Sequence, residues 1–481
     1  MPPSIALLLC GMFILVAILI DYRREPNVSG ALWVPLIWLA IVASRPVGEW
    51  VNPRGELSLH PEEGSAIDQV SLIALICLAA YILQKRNFRL TQWWSGNVWL
   101  FLFLLYCGIS IVWSDFPWVA FKRWIRAVGS LMMIFVVLSE TNPVAALGAL
   151  VRRCTYALIP LSLVLIKYYR HMAVEYNVWT GQEYLAGATT DKNALGRLCL
   201  VAGLFLFWDL IKTRHHENRG IWKLNRYLNM VLLVMVLWLL LKSHSSTSLG
   251  SMIVGISLVI GLGFSFIKTK VRYLGTFVVV SILTIFILDQ VFGLTEFVVT
   301  KVLGRNMTFT DRSFVWKDLL AMDTNPLWGV GYDSFWLGDR LKYFSYKHQV
   351  NEAHNGYLEV YLELGMIGLF LLGGFLINTF YNAKRSLMVD FDFGRLRLAL
   401  LFIFLLYNVT ESAYKASTLM FFVLMLLAID IPGQLQLQNS ANAAAKPAPP
   451  MSKPRRVAWR YKNSQEKPAR GTRKAAMGRE S

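Results

Sequence analysis

The residues best suited to chemistry stand just before a long apolar run, in the stretch from Glu352 to Gly368. Histidine has an ordinary pKa near 6.5, so His354 can accept a proton from a hydroxyl near neutral pH or orient that hydroxyl. Read as a helix, the stretch places His354, Tyr357, Gly365 and Gly368 on one face. The two glycines predict that a neighbouring helix packs closely there. Two glutamates of the stretch, at positions 352 and 359, are alternative proton acceptors.

Four cations outside this stretch are candidates for binding an anion. Arg305 and Arg312 lie in the segment 304–316. The planar guanidinium binds phosphate oxygens through two hydrogen bonds and stays charged. Lys192 stands at a predicted helix start, and Arg197 lies about one turn deeper. Plainer interpretations stay open, namely solvated loop arginines, a polar helix cap, and a chance histidine in an aromatic belt at a membrane interface.

The elements that position these residues are apolar helices. The chain has 481 residues, of which 55% are hydrophobic, and apolar stretches of helical length recur along it. This pattern predicts an all-α, polytopic integral membrane protein with about 12–13 transmembrane helices and one large, partly helical loop. Four segments follow, namely an N-terminal helix bundle (1–288), the large loop (289–355), C-terminal transmembrane helices (356–433) and a basic tail (434–481) that is expected to be disordered.

Basic residues predict the orientation of the chain. The net charge is +18, and the segment 434–481 carries 11 Lys/Arg against 2 Glu. The positive-inside rule places this tail and three basic loops in the cytoplasm, and alternation then places the large loop outside. Lys122, Arg123 and Arg126 also fall outside, against the rule. The large loop is rich in aromatic residues, which suit sugar rings and the membrane interface equally.

Four stretches resemble a known family. His354-Asn355, followed after nine residues by Gly365 and after two more by Gly368, is similar to the signature of the O-antigen ligase and O-antigen polymerase superfamily. The stretches 304–316, 326–331 and 189–196 resemble further family segments. Within the superfamily, the chain is most similar to the exopolysaccharide polymerisation proteins of rhizobial type, although Asp311 replaces the glycine usual in that subgroup.

The resemblance implies a membrane glycosyltransferase of the bacterial inner membrane. Such an enzyme transfers glycan from an undecaprenyl-diphosphate-linked donor to a glycan or lipid A core acceptor on the periplasmic face, with inversion and without a metal. It implies catalytic roles for His354 and Arg312. Residues expected to bind substrate are Arg305, Lys192, Asn355, Tyr357, Trp316 and Arg197. Membrane lipids and a chain-length regulator are the further partners expected, with no nucleic acid and no cofactor.

Other site types and functions are less favoured. No Asp-x-Asp motif and no His/Asp cluster is visible among these candidate site residues, so a required metal is not expected. Gly329 and Gly331 form a turn without the strand and helix of a dinucleotide site. A polysaccharide exporter or flippase is the alternative function, but the sequence shows no internal repeat, and charges in predicted helix centres are scarce. A non-catalytic assembly subunit is a weaker third choice.

Overall fold

The computed structural model describes residues 1–52, 65–176, 181–212, 219–278, 280, 284, 287 and 312–430. Arg305, Asp311 and the whole basic tail lie outside this part of the chain. So does most of the helix predicted over 272–288.

Helices form nearly all of the regular structure, which confirms the predicted all-α class. The helices before the hairpin are α1 (Pro3–Arg24), α2 (Trp33–Ala43), α3 (Val47–Val51), α4 (Ala66–Lys85), α5 (Thr91–Trp94), α6 (Val98–Ile109), α7 (Pro117–Leu138), α8 (Pro143–Tyr168) and α9 (Arg170–Ala173). Those after it are α10 (Lys192–Ile211), α11 (Arg219–Lys242), α12 (Ser246–Leu262), α13 (Ser265–Thr269), α14 (Arg312–Leu320), α15 (Gly338–His348), α16 (Gly356–Val389), α17 (Phe391–Thr410) and α18 (Leu419–Ala428). Short 3-10 turns cover Gly30–Leu32, Ser110–Trp113 and Val271–Tyr273.

Seven of the described helices are long and apolar enough to cross a membrane, namely α1, α4, α8, α10, Trp222–Lys242 of α11, α16 and α17. Four shorter apolar helices accompany them, at Gly30–Ala43, Val98–Trp113, Ser246–Leu262 and Leu419–Ala428. The protein is therefore a polytopic membrane protein, and the count of 12–13 spans stays a prediction. α8, α10 and α17 are mostly buried, whereas α1 and α4 expose most of their surface and lie at the periphery.

A small hairpin introduces α10. Strands β1 (Val174–Tyr176) and β2 (Glu183–Leu185) pair antiparallel, with Val174 opposite Leu185. Asp191 then caps α10, because its Oδ1 accepts hydrogen bonds from the backbone amides of Asn193 and Ala194, both at 2.9 Å. This cap fixes Lys192 as the first helical residue. The predicted polar helix cap is therefore present, and the charge of Lys192 lies at the N-terminal end of α10.

Gly365 interrupts α16, which the sequence predicted as one continuous helical face. Its φ of 63° and ψ of −163° are non-helical, and a side chain there would meet the backbone of Leu327 and Trp328 at 2.2–2.5 Å. The glycine therefore admits an adjacent loop segment, where the sequence predicted a neighbouring helix. In the same way, a side chain at Gly329 would meet the backbone of Glu363 at 2.4 Å. The loop segment is anchored there by backbone hydrogen bonds from Val330 and Gly331 to α16.

A buried ionic network ties α1, α8 and α10 together. Asp21 accepts from Nε of Arg152 at 2.6 Å and from Nε of Arg153 at 2.7 Å. Arg24 pairs with Asp209 at 2.7 Å. Arg152 and Arg153 lie well inside α8 and are fully buried, which the apparent scarcity of charges in helix centres did not predict. Charges at such depth require partners, and the two aspartates supply them.

Candidate functional site

Several helix ends meet around one cavity of about 520 Å³. We call the end of the bundle where α10 and α16 begin the site end. The cavity is lined by the start of α10, the connection between α11 and α12, the start of α14, the residues before α16 and the end of α17. Its polar walls are Lys192, Asn193, His244, Ser245, Ser246, Thr247, Arg312, His348, His354 and Glu411. Residues distant in sequence thus form one polar cavity.

The backbone before α16 places His354 in this cavity. Asn355 caps α16, since its Oδ1 accepts from the amides of Tyr357 and Leu358 at 3.0 Å. His354 itself lies outside the helix, with a left-handed φ of 50°. A non-glycine residue in this region is uncommon and costs conformational energy. Gly356 is held by a hydrogen bond to the Glu411 carbonyl at 3.1 Å. His354 therefore leaves the helical face that the sequence predicted.

Two carboxylates flank the imidazole. Nδ1 of His354 lies 3.0 Å from Oε1 of Glu352 and 3.6 Å from Oε2 of Glu411. Burial alone would lower the pKa of His354, but these two carboxylates outweigh it and raise the pKa to about 9. His354 is thus an imidazolium at neutral pH in this arrangement. This differs from the ordinary pKa that the sequence suggested, because Glu411 was not foreseen as a neighbour.

Glu352 belongs to a second pair, with Lys415. Nζ of Lys415 lies 3.6 Å from Glu352 and 3.4 Å from Glu359. Burial would raise the pKa of Glu352, but the bond to His354 and the charges of Lys415 and Arg197 lower it to about 2. Burial would likewise lower the pKa of Lys415, yet Glu359 and Glu352 raise it. Glu352 therefore stays ionised and is a poor proton acceptor.

Arg312 contacts Glu411, the second carboxylate beside His354. Its guanidinium donates to the Thr410 carbonyl and, at 3.2 Å, to Oε1 of Glu411. Glu411 is only 4% exposed, and it joins Arg312 to His354 through its two oxygens. Lys192 lines another side of the cavity, with its Nζ 3.8 Å from the ring centre of Tyr184. The cavity thus holds two permanent cations beside a titratable imidazole.

The structure brings together some of the predicted site residues and separates others. His354, Arg312 and Lys192 share the cavity, whose wall also includes His244 to Thr247. Asn355 serves as a helix cap. The Tyr357 hydroxyl donates to the Leu405 carbonyl at 3.0 Å, so this ring faces α17. The other three predicted residues are Trp316, Arg197 and Arg305.

Trp316 stabilises the segment that precedes His354. Its indole donates to the Ala353 carbonyl at 2.8 Å, which fixes the segment next to His354. Arg197 lies about one turn deeper in α10, is partly buried, and stands 4.0 Å from Asp191. Its charge acts on Glu352 but its side chain does not line the cavity. Arg305 lies outside the described residues, so its expected role stays a prediction.

Glu411 and Lys415 are the functional candidates that the sequence interpretation missed. Both lie in the short connection between α17 and α18. Two charges between closely spaced apolar runs were a usable signal, since such residues must face water, a partner or a site. They escaped notice because their spatial neighbours are some 60 to 100 positions away in the sequence.

Glu352, His354 and Glu411 also form a group that could hold a metal ion, with one ligand atom from each within 4.8 Å of the others. The sequence showed no such cluster, because Glu411 is remote from the other two. The donor set fits a divalent cation in type. However, Arg312 and Lys415 already neutralise the carboxylates, and a metal would have to displace a proton from an imidazole of pKa about 9.

Comparison with known proteins finds two similarities. A family model described as O-Antigen ligase matches residues 230–373, a range that contains Arg312 and His354. The chain is also similar to the Exopolysaccharide production protein ExoQ of Rhizobium meliloti (strain 1021). The two are 24% identical over 345 residues, which is 67% of this chain and 74% of that protein. Lys192 and Glu411 lie outside the range of the family match and join the site only in three dimensions.

Proposed function

We propose that this polytopic membrane protein, in which residues 230–373 match a family described as O-Antigen ligase, is a glycosyltransferase that joins lipid-linked glycan units. The donor is an undecaprenyl-diphosphate-linked glycan, and the acceptor is a hydroxyl of a second glycan. The observation that carries the proposal is the position of Glu411, which contacts Arg312 through one oxygen and approaches His354 with the other. An anion-binding group and a proton-accepting group are thereby held at one cavity.

Each cavity residue meets one demand of the reaction. The acceptor oxygen attacks the anomeric carbon, the bond from that carbon to the diphosphate oxygen breaks, and the configuration inverts. Arg312 and Lys192 stabilise the negative charge that develops on the leaving diphosphate. Arg305 is proposed to join them. His354, in its neutral form, accepts the proton of the attacking hydroxyl.

The carboxylates make His354 a stronger base. Glu352 and Glu411 stabilise the imidazolium, so the proton taken from the hydroxyl is held firmly. The neutral form is the minority near pH 7, which means that the pH dependence of turnover reports on this role. The reaction as proposed needs no metal ion, since Arg312 and Lys192 supply the positive charge.

The polymerase form is favoured over the ligase form. The segment 304–316 resembles polymerases, and the relative named for exopolysaccharide production points the same way. We place the protein in the bacterial inner membrane with the site end facing the periplasm and the C-terminus in the cytoplasm. A reporter inserted at Asp339 should then lie outside and one fused after Ser481 inside, and both reporters on one side would overturn this orientation.

A transport assay separates the proposal from an exporter or flippase. Purified full-length protein in liposomes, supplied with lipid-diphosphate-linked glycan, should form longer glycan and release lipid diphosphate without ATP or an ion gradient. A variant with Arg312→Ala and His354→Ala is the control for contaminating activity. Movement of intact donor across the bilayer, with no lengthening of the glycan, would contradict the proposal.

A further inference from the structure

A second binding region lies at the site end, outside the cavity of His354. α2, α4 and α7 enclose an apolar groove of about 410 Å³, whose walls include Leu72, Ile73 and Ile76 of α4 and Trp118 of α7. Ile73 is 56% exposed and Trp118 is 67% exposed, so the groove opens at the surface beside the peripheral helix α4. In a membrane protein such a groove faces lipid chains.

Basic residues close one end of this groove. Lys122, Arg123 and Arg126 of α7 line it together with Asp68. These are the three residues that the sequence places outside, against the positive-inside rule. α7 begins beside the loop after Gly331, since Ser114 bonds Ser334 at 2.7 Å and Arg340 pairs with Asp115. Lys122, Arg123 and Arg126 therefore lie on the same side of the bundle as this loop.

Arg126 is paired less completely than Arg123. It stands nine residues after Pro117, or roughly 14 Å along the helix axis at 1.5 Å per residue. Its Nε is buried and has no hydrogen-bond partner in the described part of the chain. Arg123, by contrast, is held by Asp333, with 3.1 Å between Nη1 and Oδ1. A guanidinium at this depth needs an acceptor, which an incoming anion supplies.

Arg123 and Arg126 also line a second cavity of about 350 Å³, which continues from the groove toward the site. Its other walls include Asp333, Trp336, Asn351 and Lys415. The groove and this cavity together are lined by four cations (Lys122, Arg123, Arg126 and Lys415) and two carboxylates (Asp68 and Asp333). Because Lys415 is already paired with Glu352 and Glu359, the remaining three cations exceed the two carboxylates by one positive charge. An apolar groove that leads to such a region suits a chain with a phosphate at its end.

The second cavity adjoins the site across one short segment. Asn351 lines the second cavity, whereas Val350, Ala353 and His354 line the first. Lys415 faces the second cavity and is paired with Glu352, the neighbour of His354. The two regions thus approach His354 from different sides.

We propose that the groove between α4 and α7 binds the chain of the acceptor lipid, with its phosphate at Arg123 and Arg126. The acceptor is then itself a lipid-linked glycan, its glycan passing Trp336 toward His354. Trp336 lines the second cavity along this route. This inference rests on the proposed function, because only that function makes the bound lipid an acceptor. The binding of a lipid phosphate can nevertheless be tested without turnover.

The binding test uses a diazirine-bearing polyprenyl diphosphate and full-length protein in nanodiscs of phosphatidylethanolamine and phosphatidylglycerol. Peptides of α4 and α7 should be labelled, and Arg126→Gln should reduce that labelling at least about tenfold, the loss expected for one charge-assisted bond. Arg89→Gln, an exposed arginine beyond the opposite end of α4, is the matched control and should label like the wild type.

Three outcomes would overturn the proposal. The first is the absence of label from α4 and α7. The second is competition by extra phosphatidylglycerol as strong as by unlabelled polyprenyl diphosphate, which would assign the groove to ordinary lipid. The third is unchanged labelling in both Arg126→Gln and Ile73→Trp, the second of which fills the groove without removing a charge.

A kinetic test separates this inference from the proposed function. The donor carries a blocked acceptor hydroxyl, and the same glycan is offered as acceptor either on polyprenyl diphosphate or as a free oligosaccharide. Arg126→Gln should raise KM for the lipid-linked acceptor about tenfold and leave KM for the free glycan unchanged. Equal effects on both acceptors would contradict the groove, whereas no transfer by the wild type would contradict the glycosyltransferase itself.

Discussion

Replacement of Arg312 by lysine tests the phosphate-binding half of the site while keeping the charge. In the structure the guanidinium is already shared, since it donates to the Thr410 carbonyl and to Glu411 at 3.2 Å. Arginine has five N–H donors, so it can keep these two contacts and still offer donors to a diphosphate. Lysine carries one ammonium group at a single point and cannot serve both Glu411 and a phosphate fork.

The expected loss follows from the bonds at stake. One charge-assisted hydrogen bond contributes about 1.5–3 kcal/mol, and about 1.4 kcal/mol corresponds to a factor of ten in rate. If one bond to the leaving diphosphate is lost, turnover by Arg312→Lys should fall roughly ten- to a hundredfold. A larger loss would follow if the introduced lysine also failed to hold Glu411 beside His354.

The assay is glycan product formed by purified protein from a lipid-diphosphate-linked donor, with the amount of folded protein matched by gel filtration. Arg170→Lys is the matched control, because Arg170 also pairs with a glutamate at 2.6 Å but is half exposed on the hairpin side. Its turnover should stay within about twofold of the wild type. Turnover of Arg312→Lys at the control level would refute the assignment of Arg312 to the diphosphate.

Three further predictions concern pH, metal and stability. Because His354 has a pKa of about 9 and acts as a base when neutral, kcat/KM should rise about tenfold per pH unit and level off near pH 9. Glu352→Gln should move this break in the pH profile to lower pH. A decrease of kcat/KM through the same range would assign the imidazolium to phosphate binding. Product formation should survive a strong chelator, whereas loss on chelation and rescue by one divalent ion would show that Glu352, His354 and Glu411 hold a metal. Asp21→Ala leaves the buried side chains of Arg152 and Arg153 unpaired and should destabilise the protein by about 3–5 kcal/mol in detergent melts, whereas Asp339→Ala, at a 98% exposed carboxylate, should change stability by less than about 0.5 kcal/mol.

The sequence was sufficient for the fold class and for three members of the cavity. Apolar runs of spanning length predict membrane helices because lipid leaves few other structures available to the backbone. His354, Arg312 and Lys192 stood at predicted helix ends, where polar residues of a membrane protein collect. Their convergence could be anticipated because helix ends on one side of a membrane share one layer.

The sequence could not supply the contacts that set the chemistry of these residues. Glu411 is 57 positions from His354 and 99 from Arg312, so no local pattern connects them. The pKa of His354 depends on that contact, and it could not be inferred from residue type. The helical interpretation of 354–368 failed at both ends, because a left-handed φ at His354 and a non-helical Gly365 are imposed by neighbouring loops.

Tyr357 and Trp316 illustrate a different difficulty. Aromatic residues near a site suit sugar binding and structural support equally well by type. In the structure the Tyr357 hydroxyl is engaged by the Leu405 carbonyl, and the Trp316 indole by the Ala353 carbonyl. Only the direction of the side chain separates the two uses, and that direction is set by tertiary packing.

The most direct test of the central claim is the turnover of His354→Gln with lipid-diphosphate-linked donor and glycan acceptor. Glutamine keeps hydrogen-bonding capacity but cannot accept a proton near neutral pH. Removal of general-base help typically costs about 10²–10⁴-fold, so product formation should fall by at least a hundredfold while the protein stays folded. Turnover within about threefold of the wild type would contradict the account and return His354 to an interfacial histidine.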